Sequence, residues 1–162
     1  MGFIAHGVEF EAPAGFEIDE VTISLRAKKP AREARLLNKQ TTVRPNLVMR
    51  RQTLEEPIDL VTLSLRLIAE VLQEVPDLQQ PTREPFEFAD GAPGLLLGFD
   101  YPLAEDGVCL RQYQAIRLDD STVTNVLLTV DKNTLTSALD AEYKKYIRSA
   151  AVVGEIDASL KT

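Results

Sequence analysis

The chain has 162 residues, room for one domain with a sizeable core, and its 44% hydrophobic and 27% charged content is ordinary for a folded protein. With 18 basic against 25 acidic residues the net charge is −7, which argues against wholesale binding of nucleic acid or of an anionic membrane. The single cysteine, Cys109, excludes an internal disulfide and fits a reducing cytoplasm, so a cytoplasmic protein is expected.

The opening MGFIAHGVEF has no basic segment, no long apolar run and no small-residue cleavage site, so no secretion signal is expected. His6 stands where myristoylation would need Ser or Thr. No stretch reaches the roughly 18–20 apolar residues of a membrane span, so no stable membrane insertion is expected. The first strand expected is VEFEA (Val8–Ala12), followed by the turn-like PAGF (Pro13–Phe16). VTISLRAK (Val21–Lys28) alternates, with Val21, Ile23, Leu25 and Ala27 on one side and Thr22, Ser24, Arg26 and Lys28 on the other. NLVMRRQT (Asn46–Thr53) makes a third strand.

A helix follows, with Pro57 suited to its first turn and Pro76 ending it. Val61, Leu65, Ile68, Leu72 and Val75 form one stripe at helical spacing, and Leu60, Leu63, Leu67 and Val71 a second beside it. Together they are wider than the ~100° needed to pack on one sheet, so a second surface is expected to cover the second stripe, in a dimer or in a complex. The pattern then returns to strands at TREPFEF (Thr82–Phe88), GLLLGFDY (Gly94–Tyr101), GVCLRQYQAIRL (Gly107–Leu118) and STVTNVLLTV (Ser121–Val130). The turns EDG and DDS between the last three suggest an antiparallel meander. A second helix is expected from Asn133 or Thr134, with Leu135, Leu139, Tyr143, Tyr146, Ile147 and Ala150 on one face and an Asp140–Lys144 pair on the other. The pattern predicts an α+β fold, an antiparallel sheet with two helices packed on it, forming one domain over residues 1–151 with a tail at 152–162. Strands such as GLLLGF are apolar on both faces: one face would meet the helices, and the other would be covered or form a groove.

Nothing in the sequence assembles a catalytic centre. His6 is the only histidine, Cys109 has no second cysteine or nearby histidine for a metal, and Gly91, Gly94 and Gly98 do not open a helix as a phosphate loop would. No catalytic residue, metal or cofactor is therefore expected. The positive charge is uneven: nine of the 18 basic residues fall between Arg26 and Arg51, opposed there by Glu33 alone. That loop is either a solvated connection or, through residues such as Arg32 and Arg35, a docking patch for an acidic partner.

The anomaly lies in GVCLRQYQAIRL. By alternation Val108, Leu110, Gln112, Gln114, Ile116 and Leu118 share a face, and two primary amides at the centre of an apolar face cost on the order of 1–3 kcal/mol if unbonded. Either these amides meet solvent or a neighbouring side chain, or the face is a groove whose amides bond a guest.

The order of pieces resembles the DcrB-related family, and within it the Eag-type chaperones of bacterial type VI secretion. The similarity runs from about Glu9 to Ala151 and rests on PAREA (Pro30–Ala34) after VTISL, the helix ending EVPDL (Glu74–Leu78), and GVCLRQYQAI before NVLLTV and the final helix. The resemblance implies a Mog1/PsbP-like α/β sandwich forming a cytoplasmic homodimer. It implies as partner the hydrophobic N-terminal, transmembrane-type helices of a secreted effector, kept soluble until loaded on the secretion spike protein. By motif position Val21, Ile23, Val48 and Gln112 match client-groove residues; Gln114 joins them by alternation alone. A second family glutamine, on the first helix, aligns with Leu67 here, a departure from the pattern. The alternative reading is a non-catalytic interaction module of the same fold that docks a folded partner through its basic loop.

Overall fold

The structure, a computed structural model, describes residues 2–5, 8–11, 20–26, 43–75, 78–79, 81–103 and 107–150. Among them the strands are β1 (Gly2–Ala5), β2 (Val8–Glu11), β3 (Glu20–Arg26), β4 (Asn46–Thr53), β5 (Thr82–Glu87), β6 (Pro93–Pro102), β7 (Cys109–Asp119) and β8 (Thr122–Asp131). The helices are α1 (Leu60–Glu74) and α2 (Ser137–Arg148). β1 and β2 form their own antiparallel hairpin; no alternation in the sequence announced β1. The other six strands make one antiparallel sheet in the order β3-β4-β8-β7-β6-β5. The expected α+β class, an antiparallel sheet with two helices, is the observed one.

The helices do not share a face. Leu96 and Leu97 are adjacent on β6 and both are buried, so their side chains need cover on opposite sides of the sheet. Leu96 joins Phe86, Tyr113, Ala115, Val126, Leu128 and Ile147 of α2 in the larger core cluster. Leu97 joins Phe99 and Leu78, against which Leu67, Ile68, Val71 and Val75 of α1 pack. The sheet is thus a middle layer with one helix on each face, because its central strands are apolar on both. Gly94 permits this packing: a Cβ there would stand 2.6 Å from the Phe88 ring and 2.5 Å from the Ile116 carbonyl oxygen.

The helix limits follow from capping. Asp59 caps α1 by accepting from the Thr62 amide at 2.9 Å, so the helix begins at Leu60 and Pro57 lies ahead of it. These bonds from the Thr62 hydroxyl and amide also hold the Asp59 carboxyl below its ordinary range. Lys132–Thr134 form a 3₁₀ turn capped by Asp131, so α2 starts at Ser137, with Thr136 accepting from the Leu139 amide at 3.2 Å. The Asp140–Lys144 pair forms at 3.3 Å, but Tyr146, expected on the inner face, is largely exposed. The buried Tyr113 hydroxyl donates to Asp140; burial first, then that bond, pushes the phenol's pKa up.

Two ion clusters fasten the sheet from the α2 side. The Arg117 guanidinium lies over the Phe88 ring and pairs with Asp90 and Asp119, each at 2.9 Å, joining the β5–β6 turn to the end of β7. Asp100 accepts from Arg111 and from Lys132, the latter at 2.6 Å. Burial alone would raise the Asp100 pKa, but the hydrogen bonds from Lys132 and Arg111 outweigh it, and the carboxyl sits below its ordinary value.

A depressed folded-state pKa contributes stability that is present above the unfolded carboxyl's value and is lost as pH falls through the folded one. Asp100→Asn is therefore expected to cost about 1–2 kcal/mol at neutral pH and to flatten the acid limb of the stability curve as pH falls below the ordinary carboxyl value of 3.8. Urea midpoints of both proteins across that range check this, and parallel acid limbs would contradict it.

Candidate functional site

The strand register assembles the site on the α1 side of the sheet. Three rows run across β4, β8 and β7: Asn46–Thr129–Gln112, Val48–Leu127–Gln114 and Arg50–Asn125–Ile116. Helix α1 seats itself over β6 and β7, where Leu97, Phe99 and Tyr101 supply the apolar surface it needs. Beyond it, Asn46, Val48, Asn125, Leu127 and Thr129 are half-buried, and Thr22, Ser24, Arg26 and Arg50 are exposed. This surface is amide-rich as well as apolar.

The two glutamines have different surroundings. The Gln112 carbonyl accepts from the Tyr101 hydroxyl at 2.7 Å and its amide nitrogen donates to the Thr129 hydroxyl at 3.3 Å, a cross-strand ladder that satisfies much of its capacity. Gln114, only 4% exposed, has no hydrogen bond from its side chain to another described residue. The Asn46 and Asn125 side-chain oxygens on the same face are buried without a partner; the Thr124 hydroxyl, similarly orphaned, lies on the opposite face by register. Buried polar groups are nearly always bonded, so this concentration on one half-covered face is unusual.

The register divides the five expected groove residues. Val48, Gln112 and Gln114 share the α1 face, with Leu127 between Val48 and Gln114. Ile23 stands opposite Met49 and Val21 opposite Arg51, a row that continues the α2 face, where Met49 packs on the core. Ile23 and Leu25 extend that face past its cover and are 44% and 57% exposed. Ile23 therefore does not line a groove with Val48, because successive side chains on a strand point to opposite sides, and the register gives Val21 the row of Ile23 rather than that of Val48.

The helix stripes also exchange roles. Leu67 and Val71, expected on the free stripe with Leu60 and Leu63, pack against the Leu97–Phe99 cluster, and Leu60 and Leu63 are half-buried. The uncovered flank is Val61, Leu65 and Leu72, which are 51%, 53% and 41% exposed. Ser64, fully buried among these leucines, donates to the Val61 carbonyl at 2.7 Å and accepts from Arg83 at 3.2 Å, a bond that ties α1 to β5. Adjacent stripes look alike in sequence, and the position of this small polar residue on the inner arc was the signal that could have separated them. Arg32 and Arg35 lie outside the described residues. Cys109 is half-buried at the start of β7.

Sequence reasoning missed Asn46, Asn125, Leu127 and Thr129. Asn125 carried a readable signal, since an amide in the middle of TVTNVLLTV is the same anomaly as the glutamines. Among the described residues no helix is long and apolar enough to cross a membrane, and no group of His, Cys, Asp and Glu is arranged to hold a metal.

No family model and no curated protein matches the chain. Among solved structures it is similar to PA94 from Pseudomonas aeruginosa, a protein of unknown function named as a candidate regulator, with a TM-score of 0.68 at 12% identity over 96% of this chain and 98% of that one. At that identity the likeness establishes a shared fold.

The Gln114 amide makes no hydrogen bond within the chain and keeps only marginal contact with water, so Gln114→Met is expected to raise stability by up to about 1 kcal/mol. A rise in the urea midpoint at constant m checks it. A fall of similar size would show that the Gln114 amide is satisfied in the free protein.

Proposed function

We propose that the protein is a cytoplasmic chaperone for a type VI secretion effector, holding the effector's apolar N-terminal helices on the α1 face of its sheet, as a homodimer, until they are loaded on the secretion spike. The observation that carries this reading is the set of amides whose hydrogen-bonding capacity the chain itself leaves unused, at Gln114, Asn46 and Asn125, beside the half-buried apolar pair Val48 and Leu127. An apolar guest gains by covering Val48, Leu127 and the exposed flank Val61, Leu65 and Leu72. Its N–H and hydroxyl donors meet side-chain carbonyls, which a half-turn of the asparagine amides brings outward. In a mostly apolar site a few such groups fix orientation. The family resemblance points the same way, with Gln112 at a groove position. Gln112 acts here chiefly through its Tyr101–Thr129 ladder, so its part is to set the groove floor rather than to supply a free amide.

Co-expression with the N-terminal segment of a candidate effector tests the proposal. Val48→Glu and Leu127→Glu are expected to abolish capture, and Gln114→Met to weaken it, while the complex survives about 1 M salt, where the Debye length is ~3 Å. Capture unchanged in both glutamate variants overturns the groove. A complex dissolved by salt and by charge reversal at Arg32 and Arg35 would favour docking of an acidic partner on the basic loop instead.

A further inference from the structure

At the β3 end of the same face, Arg26 stands opposite Asn46, and Asn46 opposite Thr129. With Val43 and Arg44, which lead into β4, these side chains line an open concavity of about 420 Å³. Among the described residues its lining comprises two arginines, a threonine, a valine and Asn46, whose side-chain oxygen is buried without a partner, and includes no carboxylate. Neither Arg26 nor Arg44 forms an ion pair with a described residue. The sequence surrounding them adds Lys28, Lys29, Arg32, Arg35 and Lys39 against Glu33 alone, in a chain of net charge −7. Two guanidinium groups without an ion partner among the described residues concentrate anions at the concavity.

The orphan carbonyl narrows the kind of anion. Two guanidiniums want an oxyanion, while the Asn46 oxygen wants an N–H or O–H donor beside it. A carboxylate carried on a peptide offers both, since the residue that bears it has its own backbone N–H. The volume agrees: at roughly 30 Å³ per water it is many times larger than a bare ion needs, and it falls in the 300–1,000 Å³ range of organic-ligand sites.

We propose that this concavity is a carboxylate subsite: Arg26 and Arg44 pair with an acidic side chain of a bound peptide, and the Asn46 amide, turned over so that its buried oxygen faces the concavity, accepts that residue's backbone N–H. The peptide as source of the carboxylate rests on the capture reading above; the anion site itself does not. The subsite would give the guest a direction, its acidic residue at the β3 end of the face and its apolar part over Val48 and Leu127.

The test is an NMR titration of the isotopically labelled full chain with N-acetylaspartate methylamide, whose single carboxylate is flanked by amide N–H groups. Parallel arms use the neutral asparagine analogue, acetate and inorganic phosphate. The aspartate probe is expected to shift the Arg26, Arg44 and Asn46 side-chain signals saturably. Arg26→Gln and Arg44→Gln should each weaken binding about tenfold with the backbone spectrum otherwise preserved, and the asparagine analogue should bind at least tenfold more weakly. Absence of saturable shifts, equal affinity for the asparagine analogue, tighter binding of phosphate at these residues, or indifference to both glutamine variants would overturn the subsite. Each of those results leaves the capture assay with Val48→Glu and Leu127→Glu unaffected, so the two proposals fail separately.

Discussion

Leu96 and Leu97 follow each other along one strand, point to opposite sides of it, and are both shut away from water. That requirement organises the molecule. A strand that buries consecutive residues must have cover above and below, and the chain supplies it with α2 on one side and α1 on the other. It also locks the register, since a slip of one residue would exchange the contents of the two cores and carry Gly94 away from the Phe88 ring it accommodates.

The site is the remainder of this arrangement. Helix α1 goes where the apolar surface is thickest, over Leu97, Phe99 and Tyr101, and its fifteen residues do not reach across to β4 and β3. Among the described residues no helix lies above the outer half of that face, and its residues are those of neither a core nor a typical solvated surface: Val48 and Leu127 interleaved with amides and hydroxyls. On the opposite face the charged groups are mutually satisfied, as the Asp100–Arg111–Lys132 and Arg117–Asp90–Asp119 clusters show. The contrast between the two faces, one fastened by paired charges and one carrying two unpartnered buried amide oxygens, gives the functional reading its physical footing.

Most of the elements were legible because their signals are local. Strands β4 to β8 follow alternation and turn residues, and α1 follows its apolar stripes and Pro76. What failed was relational. Ile23 and Val48 are apolar residues on neighbouring strands, and only the pairing of Ile23 with Met49 reveals that they face apart. The two stripes of α1 are interchangeable until the helix is placed on a particular sheet. Helix starts moved by three or four residues because Asp59, Asp131 and Thr136 found backbone amides to accept from, a competition that composition does not rank. Within the site, the glutamines declared themselves as misfits in an apolar face, but the sequence could not tell that Gln112 is held by Tyr101 and Thr129 while Gln114 stands alone.

The uneven cover of the sheet also sets an order in which it can loosen. β6 and β7 lie between packed layers, whereas β3 ends the strand order with Ile23 and Leu25 turned largely to water. Backbone amides there are guarded by little more than their pairing with β4, so partial opening starts at that margin and the central strands exchange their protons last. An edge that opens cheaply can adjust its spacing to what lies beside it without disturbing the paired strands at the centre, so tolerance to a guest's shape and resistance to global unfolding reside in different strands of the same sheet.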